Sequence, residues 1–244
     1  MRVAVLAGAF ASASGIIREM DGLVDCELYV VLCPEDDRGV LRRVAKECWR
    51  LLQDGISWAS IRLLIRRRVI FLLKPLDAPN STDRLLAGLF DIGLHKAGVI
   101  YRKPTFDCFR MGILNPHIGI LPEYRGRSVM EWSLLQGDPT GVTVFFMDTG
   151  IDSGERIVLR HYVDLSGRTS VAEAKKHLFS LDARLFRRAI ESLQVLDFKF
   201  ERNDFGHRYY PMSDLLTGVV EVLLEKDLGG HGNEFVDRRS QQMA

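Results

Sequence analysis

Two short apolar runs near the start of the chain constrain its fold more than any other feature. "RVAVLAGAF" begins at Arg2 and "CELYVVLC" begins at Cys26, and each predicts a strand that is apolar along most of its length. Strands of this kind are typical of parallel sheets, because helices cover both faces of such a sheet. The strand–loop–helix–strand order therefore predicts an α/β fold, with a Rossmann-like, mostly parallel sheet and helices on both faces.

The loop after the first strand, residues 8–15, supports two interpretations. Its small residues would let backbone N–H groups approach a phosphate at the start of the next helix, which we expect to begin near Ser14. The loop does not contain the GxGxxG pattern, and a tight turn between strand and helix explains the same residues. Both interpretations stay open from the sequence.

The rest of the pattern continues the α/β arrangement and adds a short helical C-terminal extension. We predict a catalytic domain over residues 1–200 and an extension over residues 201–244, with a turn, a helix and a polar tail. Residues 37–74 are helical in pattern, and their basic stretch 66–74 predicts either a solvated face or a patch for phosphate or a membrane surface. The other predicted elements are a loop over 75–84, strands over 90–101, 110–117, 140–148 and 156–165, and one long helix over 170–194.

Charge and cysteine content argue against several classes of protein. The net charge is +1 at pH 7, which gives no general attraction to nucleic acid. No apolar run approaches the roughly 18 residues of a membrane span, and the N-terminal run predicts a strand rather than a signal peptide. The four cysteines, Cys26, Cys33, Cys48 and Cys108, have no paired or metal-binding spacing. We therefore expect a cytoplasmic protein with free thiols and no metal site.

"GILNPHIGILPEYRG", residues 112–126, places unusual polar residues at the end of an apolar strand. Positions i and i+2 of an extended chain point to the same side, so Asn115 and His117 are expected to face one space together. Pro116 favours extended geometry for itself and for Asn115. The stretch therefore predicts a strand end that delivers an amide and an imidazole to one point.

"DTGIDSGE", residues 148–155, is the second unusual stretch, since it combines two carboxylates with small, flexible residues. Glycines let the backbone approach a flat ligand closely. A carboxylate near a histidine orients the ring and stabilises its charged form. We expect Asp152 to support His117, and Asp148 to close the turn through hydrogen bonds from its side chain to the backbone.

Four motifs occur in order between residues 90 and 158: N-x-H, L-P-x-Y-R-G, T-G-V-T and D-x-G-x-D-x-G. As a set they resemble the formyltransferase family that uses 10-formyltetrahydrofolate, which includes methionyl-tRNA, glycinamide ribonucleotide and sugar-nucleotide formyltransferases. Two positions depart from the family pattern. Pro116 is a less usual residue between Asn and His, and Ile118-Gly119 stands where the family usually has Pro-Ser.

The resemblance implies a formyltransferase fold and assigns roles to single residues. Asn115 and His117 would donate hydrogen bonds to an oxyanion, and Asp152 would support the imidazolium. Tyr124 and Arg125 would shape the acceptor side, although Arg125 is equally suited to cap a strand end or to pair with Glu123. The co-substrate would be 10-formyltetrahydrofolate, with no metal or covalent nucleophile. The residues implied to contact the folate are Gly98, Val99, Ile100, Met147, Thr149 and Gly150.

The leading acceptor is a small primary amine, in particular an amino-sugar nucleotide. The residues after Ile157 are helical in pattern, whereas methionyl-tRNA formyltransferases carry a C-terminal β-barrel. The loop after the first strand lacks the asparagine usual in glycinamide ribonucleotide enzymes. The alternatives are those two transferases, a formyltetrahydrofolate hydrolase, and an inactive binding protein of the same family. The expected partners are the amine acceptor and a reduced folate, with no membrane and no nucleic acid, and an oligomer is possible.

Overall fold

The computed structural model describes residues 1–33, 57–66, 68–150, 152–154, 156–203 and 206–226. The chain forms two compact units, Met1–Leu114 and Asn115–Ala244. The boundary predicted at residue 200 falls inside the second unit. The helix predicted within residues 37–56 and most of the predicted polar tail lie outside the described residues.

The first unit contains a parallel sheet, as the apolar runs predict. Its strand order is β3-β2-β1-β4-β5, and each neighbouring pair is parallel. Every residue of β1 from Val3 to Ala7 is fully buried, so the strand is covered on both faces. The last three residues of β5 belong to the second unit. The strands are β1 Arg2–Ala7, β2 Glu27–Leu32, β3 Val69–Phe71, β4 Phe90–Lys96 and β5 Phe109–His117.

Helices connect these strands, and three local predictions for the unit are wrong. α1 begins at Phe10 instead of near Ser14, so a very short turn follows β1. β3 replaces part of the predicted helix, because its β-branched and aromatic residues pair with β2. A helix replaces the predicted loop at 75–84, since Pro79 suits the first turn of a helix. The helices are α1 Phe10–Met20, α2 Trp58–Ile65, α3 Pro79–Ala87 and α4 Lys103–Phe106.

The described residues of the second unit form two small sets of strands, accompanied by helices. β7, β8 and β9 pair antiparallel, and β6 pairs parallel with β10. β7 is buried at every position, and its Phe145 packs with Leu121 and Ile157. The elements are β6 Tyr124–Gly126, α5 Val129–Gln136, β7 Gly141–Phe146, β8 Arg156–Tyr162, α6 Val171–Ser180, α7 Asp182–Leu193, β9 Glu201–Arg202, β10 His207–Tyr209 and α8 Asp214–Glu225.

Two predictions for the second unit need correction, and one is confirmed. The single long helix is in fact α6 and α7, which meet at Leu181. β10 stands where a turn was predicted, because this segment pairs with a strand far away in the sequence. The helix predicted in the C-terminal extension is confirmed as α8. Within the described ranges, no helix combines the length and the apolar character needed to cross a membrane.

Candidate active site

The end of β5 places the first two predicted site residues. β5 continues through Asn115 and Pro116 and ends at His117, so the extended geometry predicted for this stretch is confirmed. Asn115 is half-buried, whereas His117 is only 7% exposed. The side chain of Asn115 makes no hydrogen bond within the described part of the chain, so its amide is available to a ligand.

The imidazole of His117 is held by a backbone carbonyl. Its Nε2 lies 2.8 Å from the carbonyl oxygen of Tyr124. A carbonyl only accepts hydrogen bonds, so Nε2 carries a proton and donates it. The ring of Phe145 meets the imidazole edge to face, with 6.4 Å between ring centres. These contacts fix the ring and leave Nδ1 as the nitrogen that can exchange a proton.

A carboxylate faces that second nitrogen. Oδ1 of Asp152 lies 3.6 Å from Nδ1 of His117. This distance suits an ion pair but is too long for a hydrogen bond, so Asp152 can stabilise an imidazolium while Nδ1 stays free to donate elsewhere. The other oxygen, Oδ2, accepts a hydrogen bond of 3.0 Å from the backbone N–H of Gly126. His117 at the end of β5 and Asp152 of the glycine loop therefore lie side by side.

The loop that carries Asp152 is secured at several points. Asp152 has a φ of 50°, a left-handed conformation that aspartate tolerates better than most residues. The amide Nδ2 of Asn203 donates to the backbone oxygens of Asp152 and Gly154, at 3.0 and 2.9 Å. Asp148 accepts hydrogen bonds of 2.8 Å from the N–H of Gly150 and from the hydroxyl of Ser153, which confirms its predicted turn-closing role.

Residues 98–190 match the family described as Formyl transferase. This match includes all four motifs and every residue of the His117–Asp152 arrangement. Over these residues the chain is similar to formyl transferases. This similarity agrees with the resemblance that the motifs carry.

Individual members of the formyltransferase family match over larger parts of the chain. The methionyl-tRNA formyltransferase of Coxiella burnetii is 26% identical over 159 residues, which are 64% of this chain and 50% of that protein. The chain thus spans about half the length of the curated relatives it matches.

Solved structures of formyltransferases share the fold. A sugar N-formyltransferase from Shewanella sp FDAARGOS_354 superposes with a TM-score of 0.59 at 12% identity, over 92% of this chain and 87% of that one. Glycinamide ribonucleotide transformylase 1 from Symbiobacterium toebii gives a TM-score of 0.56 at 19% identity, over 84% of this chain and 94% of that one. At these identities the likeness shows the formyltransferase fold and leaves the acceptor undecided.

The side chains of the two residues predicted for the acceptor side, Tyr124 and Arg125, form hydrogen bonds within the protein. Tyr124 is buried, and its hydroxyl donates to Gln136 and Asp138. Burial and the hydrogen bond to Asp138 raise the pKa of Tyr124, so its phenol stays protonated. Arg125 donates to the backbone oxygen of Gly206 at 2.8 Å, just before β10, which favours the strand-capping alternative. Direct contact of either side chain with an acceptor stays a prediction.

The residues implied to bind folate lie on exposed backbone in both units. In the first unit, Gly98, Val99 and Ile100 follow β4, and Ile100 is 95% exposed. In the second unit, Met147, Thr149 and Gly150 follow β7 and are half-buried or exposed. Their contact with folate stays a prediction. Among the described residues, no cluster of histidine, cysteine and acidic side chains is suited to hold a metal ion.

Sequence reasoning missed three residues that shape the site. Gly119 lies so close to the site that a Cβ there would come within 2.8 Å of His117 Nε2. Gly126 supplies the N–H that holds Asp152, and Asn203 secures the backbone of the same loop. A signal for Gly119 was present in its departure from the family pattern. Asn203 had none, because it lies far along the chain in a segment without a motif.

Proposed function

We propose that this chain transfers the formyl group of 10-formyltetrahydrofolate to the primary amine of a small acceptor. The observation that carries the proposal is the arrangement of His117, whose Nε2 is tied to a backbone carbonyl while Nδ1 faces Asp152 at 3.6 Å. A buried imidazole held in this way has one defined nitrogen for proton exchange and a carboxylate that favours its charged form.

The reaction needs groups that stabilise a developing negative charge and groups that transfer protons. The amine nitrogen attacks the formyl carbon, and the carbonyl electron pair moves to oxygen. The tetrahedral oxyanion then collapses, the bond from carbon to the folate nitrogen breaks, and that nitrogen takes up a proton while the amine loses one. The products are a formamide and tetrahydrofolate.

The described residues supply a group for each of these steps. The amide NH₂ of Asn115 has no hydrogen-bond partner in the described residues and would donate to the oxyanion. The Nδ1–H of His117 would donate to the same oxygen or pass its proton to the leaving nitrogen. Asp152 would hold the positive charge on the ring during both steps. We propose that the folate contacts the Met147–Gly150 segment of the second unit, which precedes Asp152 in the same loop.

The acceptor that we favour is an amino-sugar nucleotide. The net charge of +1 gives the chain no strong general field for tRNA, whose binding depends on many phosphate contacts. The curated relatives are nevertheless named methionyl-tRNA formyltransferases, so methionyl-tRNA is the second candidate acceptor. Glycinamide ribonucleotide is the third candidate acceptor. Two rival functions do not involve transfer to an amine, namely hydrolysis of formyltetrahydrofolate and folate binding without catalysis.

A transfer assay with a matched variant tests the proposal. The purified chain is incubated with 10-formyltetrahydrofolate and, separately, with an amino-sugar nucleotide, glycinamide ribonucleotide, methionyl-tRNA or water alone. Formation of tetrahydrofolate that depends on an amine, and that falls at least about 100-fold in His117→Ala, supports formyl transfer. Release in water alone would identify a hydrolase. Calorimetry with 5-formyltetrahydrofolate measures folate binding separately, and no heat up to about millimolar concentration would contradict the proposal.

A further inference from the structure

A surface depression of about 440 Å³ on the second unit lies beside the candidate site but contains none of its proposed chemical groups. This volume is within the range of small-molecule binding sites. The lining consists of aromatic rings, one amide and one guanidinium, without a carboxylate. The lining residues are Trp132, Gln136, His207, Arg208, Tyr209 and Tyr210.

The rings of Tyr209 and Trp132 in the depression are held in place by hydrogen bonds and by stacking. Tyr209 stacks on the buried ring of Tyr124, with 5.1 Å between centres and 15° between planes. Its hydroxyl accepts a hydrogen bond of 3.1 Å from the amide of Gln136. The indole N–H of Trp132 donates to the backbone oxygen of Tyr210, whose own ring is 65% exposed. Fixed, partly exposed rings are suited to stack on a flat ligand at low entropic cost.

Two arginines on neighbouring strands give this region a positive charge. Arg125 of β6 and Arg208 of β10 are direct partners in the parallel register. Like charges placed opposite each other on paired strands repel. Neither side chain forms an ion pair with a carboxylate within the described ranges, and Nε of Arg125 is enclosed without a hydrogen-bond partner there. An anion bound beside Arg208, which lines the depression, would offset this positive charge.

The short strand β6 connects this region to the candidate site. Its Tyr124 carbonyl accepts the hydrogen bond from His117, and its Gly126 N–H donates to Asp152. The following residue, Arg127, donates its backbone N–H to the carbonyl of Tyr209 in β10, at 3.1 Å. A ligand that binds along β10 would therefore lie one strand away from the residues proposed for formyl transfer.

We propose that this aromatic and basic surface binds the nucleoside diphosphate part of the acceptor. The base would stack on the rings that line the depression, with the Gln136 amide near its polar edge. The diphosphate would accept hydrogen bonds from Arg208, since a guanidinium group matches phosphate oxygens in geometry and charge. This inference rests on the proposed function, because it identifies how an amino-sugar nucleotide would be held.

Calorimetry of the full chain with uridine diphosphate, and separately with thymidine diphosphate, tests the inference. Binding of one or both is expected, and Arg208→Ala should weaken it at least about tenfold, because a charge-assisted hydrogen bond is lost. Tyr210→Ala should weaken it by about fivefold through the loss of stacking. The matched controls are Arg184→Ala and Phe179→Ala, which replace exposed side chains of α7 and α6 and should leave binding unchanged.

Parallel titrations with 5-formyltetrahydrofolate separate this inference from the proposed function. Nucleotide binding weakened by Arg208→Ala, with folate binding unchanged, supports the inference. Folate binding without any nucleotide binding overturns the inference and leaves formyl transfer intact. Nucleotide binding that neither variant weakens also overturns it, because the nucleotide then binds elsewhere. If neither the nucleotides nor 5-formyltetrahydrofolate bind, the inference and the proposed function are both contradicted.

Kinetics and light scattering add two further readouts. With a nucleoside diphosphate-linked amino sugar, Arg208→Ala should raise KM about tenfold while kcat changes little, as expected for a group that binds a remote part of the substrate. An unchanged KM would contradict the proposal. If Tyr210→Ala instead abolishes self-association of the chain and the nucleotides do not bind, the surface is an interface between copies and the inference is wrong.

Discussion

Nδ1 of His117 lies 3.6 Å from Oδ1 of Asp152, while Nε2 of the same ring lies 2.8 Å from the carbonyl of Tyr124. The carbonyl fixes which nitrogen keeps its proton, and the carboxylate acts on the other nitrogen. The ring is 7% exposed, so water screens this charge interaction weakly. The position of the loop that carries Asp152 therefore decides how strongly the carboxylate interacts with His117.

The first prediction concerns that carboxylate. Asp152→Asn should lower turnover by about 100-fold, because an amide cannot stabilise the imidazolium that proton transfer requires. The affinity for folate should be kept, because Asp152 acts on the imidazole. Steady-state kinetics, with folate calorimetry, measure both effects. The matched control is Asp148→Asn, which should change turnover much less, since Asp148 is exposed and closes only the turn. A greater loss in the Asp148 variant would show that the wrong acid was assigned.

The second prediction concerns the amide at the end of β5. Asn115→Ala should reduce turnover at least about 100-fold, as expected on removal of an oxyanion donor. Because the side chain makes no hydrogen bond in the described residues, the free energy of unfolding should change by less than about 1 kcal/mol. Single-turnover kinetics and urea unfolding measure the two quantities. Turnover near that of the unmodified chain would remove Asn115 from the mechanism.

The third prediction concerns Gly119, where the chain departs from the family pattern. A Cβ at this position would lie 2.8 Å from His117 Nε2 and 2.9 Å from the carbonyl of Tyr124. Gly119→Ala should therefore displace the ring and lower turnover by about tenfold or more, since small misplacements of catalytic groups are costly. Gly218→Ala in α8 is the control, because a Cβ added there would meet no atom within 4 Å. Equal turnover in the two variants would mean that His117 tolerates the displacement.

The fourth prediction concerns Asn203, which is 5% exposed and bonds two carbonyls of the loop that carries Asp152. Asn203→Ala should lower the free energy of unfolding by about 1–3 kcal/mol, because buried carbonyls lose their donor. Turnover should fall as well, because the loop that carries Asp152 loses two of its hydrogen bonds. Asn80→Ala, at an exposed position in α3, is the control for both measurements. A variant with lower stability but unchanged turnover would limit Asn203 to a structural role.

The fifth prediction concerns the stability of the first unit in acid. Burial, with a contribution from Lys96, lowers the pKa of His95 from its usual 6.5 to about 4. Between these values the unfolded chain binds the proton more readily than the folded chain. The free energy of unfolding should therefore be highest above pH 6.5 and fall progressively as the pH drops toward about 4. Urea unfolding at a series of pH values measures this decline.

His95→Gln provides the comparison for that measurement. Glutamine can still form a hydrogen bond where Nδ1 of His95 lies 2.7 Å from the hydroxyl of Tyr101, but it does not titrate. The decline in unfolding free energy between pH 6.5 and 4 should therefore be smaller in the variant. An identical decline in both proteins would assign the pH dependence to other groups.

The sequence by itself determined the parts of this protein that depend on neighbouring residues. Continuous apolar runs predicted β1 and β2, since a strand buried on both faces must be apolar along its length. The spacing of Asn115 and His117 predicted that they share one face of an extended strand, because the period of a strand is two residues. The glycine-rich turn around Asp148 was also predictable, as short polar side chains bond to nearby backbone. The motif set predicted the formyltransferase family.

The tertiary structure decided what depends on segments that are distant in the sequence. The contact of Asp152 with His117, the amide of Asn203 on the same loop and the pairing of β10 with β6 each join residues from different elements. The predictions of a helix at β3 and of a turn at β10 were wrong for the same reason. At both places, pairing with a neighbouring strand outweighed the local sequence pattern. Local propensities are worth about 1 kcal/mol or less per residue. Burial and pairing in the folded chain exceed that amount, so they decide both the strands and the geometry of the site.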